Sequence, residues 1–270
     1  MKKLALLFIT SFIVLSSASA QDDYGPRPRG GTPRHSSTPW RFGVFFAPNV
    51  SWMKPTNSKS NDGLHKVVSD GSKTGFTWGL MADYYVTYNY AIETGVQVNS
   101  TGGIISTSIV PALIPTNESY VSSTTFDYSL QYVEVPFNLK LRSDEIGSGL
   151  QLFGQLGVMA GISLSRKATY VVDYYDYNKN TNLRVDGERE RIPGSLTTSP
   201  LLFSLNVGGG LEYPVGDRLA IYFGLFFNNG FAPDVTNPAN YDLGYTPSGA
   251  SFRDGNTRLN NFALRLGLFF

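Results

Sequence analysis

Trp40-Arg41-Phe42-Gly43-Val44-Phe45-Phe46-Ala47-Pro48-Asn49-Val50-Ser51-Trp52 alternates with a period of two. Trp40, Phe42, Val44, Phe46, Pro48, Val50 and Trp52 share one face; Arg41, Gly43, Phe45, Ala47, Asn49 and Ser51 share the other. A period of two belongs to an extended strand with one apolar side. At ~3.3 Å per residue and a tilt of about 40°, the stretch rises about 30 Å, which fits an apolar band of ~25 Å with a Trp at each end.

Outward from that stretch, the pattern recurs. Apolar faces run over Phe76 to Tyr84, Tyr90 to Val98, Val133 to Leu141 and Leu150 to Leu164. Three more run over Leu201 to Leu211, Leu219 to Phe227 and Phe262 to Phe270. Short turns are expected at Val86 to Asn89, Ser143 to Gly149 and Pro214 to Asp217. Long polar segments, read as loops, fall at Lys54 to Thr74, Gly102 to Asp127, Lys167 to Ser199 and Ala232 to Arg258. Eight strands form an even number, with short turns on one rim and long loops on the other, as single-chain outer-membrane barrels have. The expected fold is therefore all-β: an eight-stranded antiparallel up-and-down transmembrane β-barrel with four long extracellular loops.

The opposite faces decide between lipid and water outside. They carry Gly, Ala, Ser, Asn and Gln, suited to the crowded interior of a small barrel. No charge interrupts the apolar faces, where Arg or Lys at mid-bilayer costs ~2–4 kcal/mol. The inner faces hold Asp83, Glu93, Glu134 and Glu212 beside Arg41, Lys140, Arg142 and Arg265. Buried charges persist when paired and hydrogen-bonded, so an interior salt-bridge network is expected, an ion pathway being the alternative. Phe45, Met81, Phe153, Met159, Tyr222 and Phe226 add bulk inside and favour a filled core.

Composition agrees. The 270 residues carry a formal net charge of +1 with 16% charged side chains, which gives no electrostatic footing for nucleic acid. Aromatics at 14% and 28 glycines suit short strands and tight turns, and with no cysteine, disulfides and thiolate chemistry are excluded. Met1-Lys2-Lys3, the apolar run Leu4 to Leu15 and Ala18-Ser19-Ala20 read as a signal peptide over 1–20, cleaved near Ala20. Residues 21–39, with Pro26, Pro28, Pro33 and Pro39, read as a flexible periplasmic lead-in, leaving 40–270 for the barrel. The expected location is the bacterial outer membrane.

No catalytic, cofactor or metal site is expected. His35 and His65 lie in the lead-in and in a loop without patterned partners, and His65 reads as solvated. Asp176-x-Asn178-x-Asn180 begins like a calcium loop, but Thr181 replaces the turn glycine and Gly187 the final Glu. Tyr170, Tyr174, Tyr175 and Tyr177 cluster in the third long segment as a candidate recognition surface. Val171 and Val172 equally support a hairpin that extends the strands.

Gln131-Tyr132-Val133-Glu134-Val135-Pro136-Phe137-Asn138-Leu139-Lys140 resembles the Tyr-hydrophobic-Glu-hydrophobic-Pro strand, with a Lys four residues on, of the PorT-like outer-membrane β-barrel family. Ala91 to Val98 before Gly102-Gly103, the glycine-bearing Gly154 to Gly161, and Val207-Gly208-Gly209-Gly210-Leu211-Glu212-Tyr213 support the resemblance. It spans roughly Trp40 to Phe270 and implies an outer-membrane barrel, with a link to secretion or gliding machinery. The terminal Phe270 resembles the signal read by the outer-membrane assembly machinery. Expected partners are outer-membrane lipid, that machinery, and envelope or secretion-system proteins. The expected role is a plugged, non-enzymatic scaffold or interaction protein; an adhesin-like or ligand-binding barrel and a small channel are the alternatives.

Overall fold

The computed structural model describes residues 39–59, 63–146, 149–191, 197–198, 201–215, 219–231, 235–236 and 257–270. Two units divide the chain, Met1–Trp40 and Arg41–Phe270. Of the first, only Pro39 and Trp40 are described, so the signal-peptide and lead-in readings lie outside the described residues except at Pro39.

Among the described residues, eleven strands form one antiparallel sheet. They are β1 (Trp40–Pro55), β2 (His65–Tyr85), β3 (Tyr90–Ile109), β4 (Tyr120–Arg142), β5 (Gln151–Asp176), β6 (Thr181–Arg191), β7 (Thr197–Thr198), β8 (Leu201–Pro214), β9 (Ala220–Gly230), β10 (Val235–Thr236) and β11 (Thr257–Phe269). Eight of them follow one another in the ring order β1-β2-β3-β4-β5-β8-β9-β11. Pairing of β1 with β11, from Gly43↔Phe269 to Pro55↔Thr257, closes the ring. The short strands β7 and β10 pair above β11, and β6 pairs with the upper half of β5. Closure leaves no free edge in the ring, which is what a spanning sheet requires.

The outward face is apolar over a continuous band. Phe137, Ile162 and Leu225 keep 60%, 60% and 64% of their surface exposed, and Trp78, Leu80, Val96, Leu156 and Phe262 lie beside them on that face. Soluble monomers expose apolar patches of roughly a few hundred Å² only, so the band is a lipid surface. Within the second outward set, Ala82 is buried, its single methyl flanked by Leu80 and Tyr84.

Above the band the polarity of the wall inverts. On β4, Val133, Val135, Phe137, Leu139 and Leu141 point out; higher up, Thr125, Asp127, Ser129 and Gln131 take those outward places. The inward places change the other way, from Glu134, Asn138 and Lys140 to Phe126, Tyr128, Leu130 and Tyr132. On β5 a bulge between the pairs Gln131↔Ser165 and Tyr132↔Ser163 adds one residue and flips the parity. Beyond it Ala168, Tyr170, Val172 and Tyr174 face inward. These side chains join Met53, Val67, Ile105, Leu202 and Leu259 in one hydrophobic core. A wall that leaves hydrocarbon for water needs a polar exterior and an apolar interior, and this part of the chain has both.

That inversion corrects the reading of long loops. Much of Lys54 to Thr74, Gly102 to Asp127 and Lys167 to Ser199 is strand; the described residues of these segments outside the named strands are 56–59, 63–64, 110–119 and 177–180. One turn of 3-10 helix, Pro111–Leu113, lies in the second. Only Val235, Thr236, Thr257 and Arg258 of the fourth segment are described. Outward Ser and Thr made these segments look like loops, although their alternation continues.

A charge on the wall should report the level at which the exterior changes. Phe137→Arg is expected to cost ~2–4 kcal/mol in lipid vesicles, whereas Thr125→Arg on the same strand should stay within about 0.5 kcal/mol. Equal costs in equilibrium urea unfolding would remove the inversion.

Candidate functional site

The lower interior gathers the charged side chains. Asp83 at the end of β2 is the direct partner of Glu93 at the start of β3, so that hairpin sets two acids side by side. Lys140, one strand further on, answers them. Its Nζ lies 2.8 Å from Asp83 Oδ2, 2.5 Å from Glu212 Oε1 and 3.9 Å from Glu93 Oε2, with no surface exposed. Phe153, Tyr222 and Phe269 surround the ammonium at 4.9, 5.1 and 4.7 Å from their ring centres. Desolvated contacts of this kind contribute ~2 kcal/mol or more each.

The other bases surround this centre. Arg41 Nη2 reaches Glu212 Oε2 at 2.5 Å and Asp83 Oδ2 at 3.3 Å, its guanidinium 3.8 Å from the Phe269 ring centre. Arg265 contacts Glu93 at 3.5 Å and lies between the rings of Phe45 and Phe226, at 4.8 and 4.2 Å. Arg142 sits at the rim, donating to Tyr85 Oη and the Tyr88 carbonyl at 3.1 Å each, with Glu212 3.9 Å away.

Glu134 stands apart. Gln97 Nε2 donates to it at 2.6 Å and Asn99 Nδ2 at 2.9 Å, and among the described residues no cation lies within salt-bridge distance. Of the eight charged candidates, the structure therefore brings seven into one linked ionic cluster and places Glu134 in an amide belt above it. Sequence reasoning did not single out that belt. Asn206, Asn228 and Asn261 hydrogen-bond in a row across β8, β9 and β11, and Gln155 joins Asn206 to Glu93. Asn49, Thr77 and Asn99 form a second group on β1 to β3. Their inward parity was the available signal.

Phe153 and Phe226 lie flat against β8 and β9 because the wall there has no side chains. A Cβ at Gly208 would come within 2.2 Å of the Phe226 ring, and one at Gly224 within 2.6 Å of it. Glycine is required at both positions by close approach.

The four tyrosines do not share a surface, which corrects the recognition patch. Tyr170 and Tyr174 point inward and are buried, because both have the parity of the upper core. Tyr175 points outward and packs against Tyr120 in a tilted pair with ring centres 5.4 Å apart, and Tyr177 lies exposed at the tip of the β5–β6 hairpin. Asp176 holds that tip as a turn by accepting from the backbone N–H of Asn178 at 3.0 Å. Across the hairpin Arg184 donates to Asp173 through Nε at 2.8 Å and Nη2 at 3.2 Å. This contact, with Ser123 Oγ at 3.1 Å, holds the Asp173 carboxyl below its ordinary pKa.

His65 is also not the solvated loop residue its neighbours suggested. It begins β2, is buried, and donates from Nε2 to the Val121 carbonyl at 2.8 Å. His35 lies outside the described residues.

Residues 20–232 match the family described as an outer membrane protein beta-barrel domain. No curated protein matches the sequence. Among solved structures the chain is similar to Neisserial surface protein A (NspA), at 10% identity and a TM-score of 0.37, covering 87% of this chain and 100% of that one. It is similar to OprG from Pseudomonas aeruginosa, at 12% identity and a TM-score of 0.39, covering 85% and 96%. A third similarity is to Ail, the attachment invasion locus protein of Yersinia pestis, at 12% identity and a TM-score of 0.29, covering 86% and 97%.

Proposed function

Because the chain belongs to the outer membrane protein β-barrel family, we propose that it is a plugged, non-enzymatic scaffold whose working surface is the wall that β2 to β6 raise above the bilayer. The inversion of that wall carries the reading. A strand extension with its own apolar core is a rigid platform, and binding to a rigid platform loses less entropy than binding to loops. The interior supports the plug: Glu134, Asn138, Lys140, Asn206 and Tyr222 have no exposed surface, and three acids lie among four bases, with Glu134 held by amides. In this reading the short turns and both chain ends are periplasmic after cleavage near Ala20, and Phe270 is presented to the assembly machinery.

The Tyr132 to Lys140 motif supports kinship with the PorT-like members and an envelope or secretion partner. Glu134 and Lys140 point inward, and Pro136, lacking an N–H, sits in the gap between the ladder pairs Thr94↔Phe137 and Gln97↔Glu134. A second reading, an adhesin-like barrel, rests on the exposed Tyr177 and the outward Tyr120–Tyr175 pair.

Planar-bilayer recordings of the purified protein should give no steady openings; sustained large conductance would defeat the plug. Co-purification from outer membranes separates the two readings. Stable envelope partners support the scaffold, and solitary protein supports the adhesin-like alternative.

A further inference from the structure

On the outward face, two like charges stand opposite each other. Lys54 on β1 and Arg258 on β11 are direct partners in the antiparallel ladder, and both are exposed. Side chains so placed start ~5 Å apart at Cβ, where like charges destabilise the pair. Among the described residues neither forms an ion pair. A neutralising acid is feasible on this wall, because Lys73 on β2 is paired with Asp127.

What lies beneath the pair shows the counter-charge it fits. Trp52, two residues below Lys54 on the same face, packs on Phe227 at 6.2 Å and Phe262 at 5.6 Å, and those two rings are 4.8 Å apart. Level with Trp52, the ladder partner of Asn260, Asn229 Nδ2 donates to Asn260 Oδ1 at 2.8 Å. From bottom to top the wall therefore offers aromatic rings, an amide pair level with the uppermost of them, and two cations that no described residue neutralises. Trp52 is also the upper end of the apolar band on β1, which places the cations at headgroup height. Arg binds phosphate oxygens through a planar fork and Lys as a point charge, so together they fit one phosphate.

We propose that Lys54 and Arg258 clamp the phosphate of an outer-leaflet lipid headgroup whose acyl chains lie on Trp52, Phe227 and Phe262. The bound anion turns a repulsive pair into an attractive triad, and the lipid becomes a fixed part of the β1–β11 seam. Its outer-leaflet placement rests on the orientation proposed above, with the short turns periplasmic, and not on the scaffold role.

The test uses the full chain in neutral detergent, with native mass spectrometry reading bound lipid. The probes are bisphosphorylated lipid A, the same glycolipid without phosphate, and inorganic phosphate. Wild-type protein should bind the phosphorylated lipid about tenfold or more tightly than the dephosphorylated one, equivalent to ~1.4 kcal/mol. Lys54→Gln with Arg258→Gln should lose that preference, and Lys66→Gln, further up β2, should keep it. Without lipid, the double variant should resist urea as well as the parent or better, because the repulsion is gone. Equal binding of the two lipids by wild-type protein would overturn the clamp. Undiminished preference in the double variant, an equal loss in Lys66→Gln, displacement by equimolar inorganic phosphate, or a lipid-free barrel weakened by the double substitution would each do the same.

Discussion

Lys140→Met is expected to destabilise the barrel by about 3–5 kcal/mol, because removing one partner of a buried ionic cluster leaves its carboxylates uncompensated. The side chain is wholly buried and faces Asp83, Glu93 and Glu212. Methionine fills nearly the same volume, so little of the loss comes from packing. Adding Asp83→Asn to the variant should recover part of the stability, since it removes one of the stranded charges. Equilibrium urea unfolding in detergent, followed by heat-dependent mobility on gels, gives both numbers. An unchanged midpoint for Lys140→Met would mean that the cluster contributes nothing net.

Phe126→Ala is expected to cost a similar amount, about 3–5 kcal/mol, but at a different level of the molecule. Phe126 is fully buried in the upper core, with Tyr128 and Tyr170 stacked against it at 5.8 Å each. The cavity would open the wall locally, and local opening is what amide hydrogen exchange resolves. Faster exchange should appear in the upper halves of β4 and β5 and in β6, while the lower ring exchanges as before. Exchange that rises equally in both levels would make the extension inseparable from the transmembrane ring.

Most of the ring was legible because lipid imposes a simple code. A strand such as Trp40 to Trp52 must be apolar on one side along its whole length, and sequence alternation records that directly. The inward set followed from parity alone, including the rings of Phe45, Phe153 and Phe226. Ser123, Thr125 and Ser129 misled for the opposite reason: above the bilayer an outward strand residue and a loop residue face the same water. Phe126, Tyr128, Leu130 and Tyr132 kept the period of two, yet their meaning had reversed. On β5 the extra residue near Leu164 broke the alternation itself, so Tyr170 and Tyr174 could not be assigned a side by counting. Partner choice was beyond the sequence. Parity puts Arg41 inside, but only the closed ring shows it meeting Glu212, 171 positions away.

The facing acids Asp83 and Glu93 bear on the order of assembly. A freshly formed β2–β3 hairpin repels itself at its base until β1 brings Arg41 to Asp83 and β4 delivers Lys140, while Arg265 reaches Glu93 only once β11 has joined the ring. Until those neighbours are in place the bare hairpin carries uncompensated negative charge, which hydrocarbon disfavours. Insertion of the hairpin alone is therefore expected to cost more than insertion of a sheet that already includes β1 and β4.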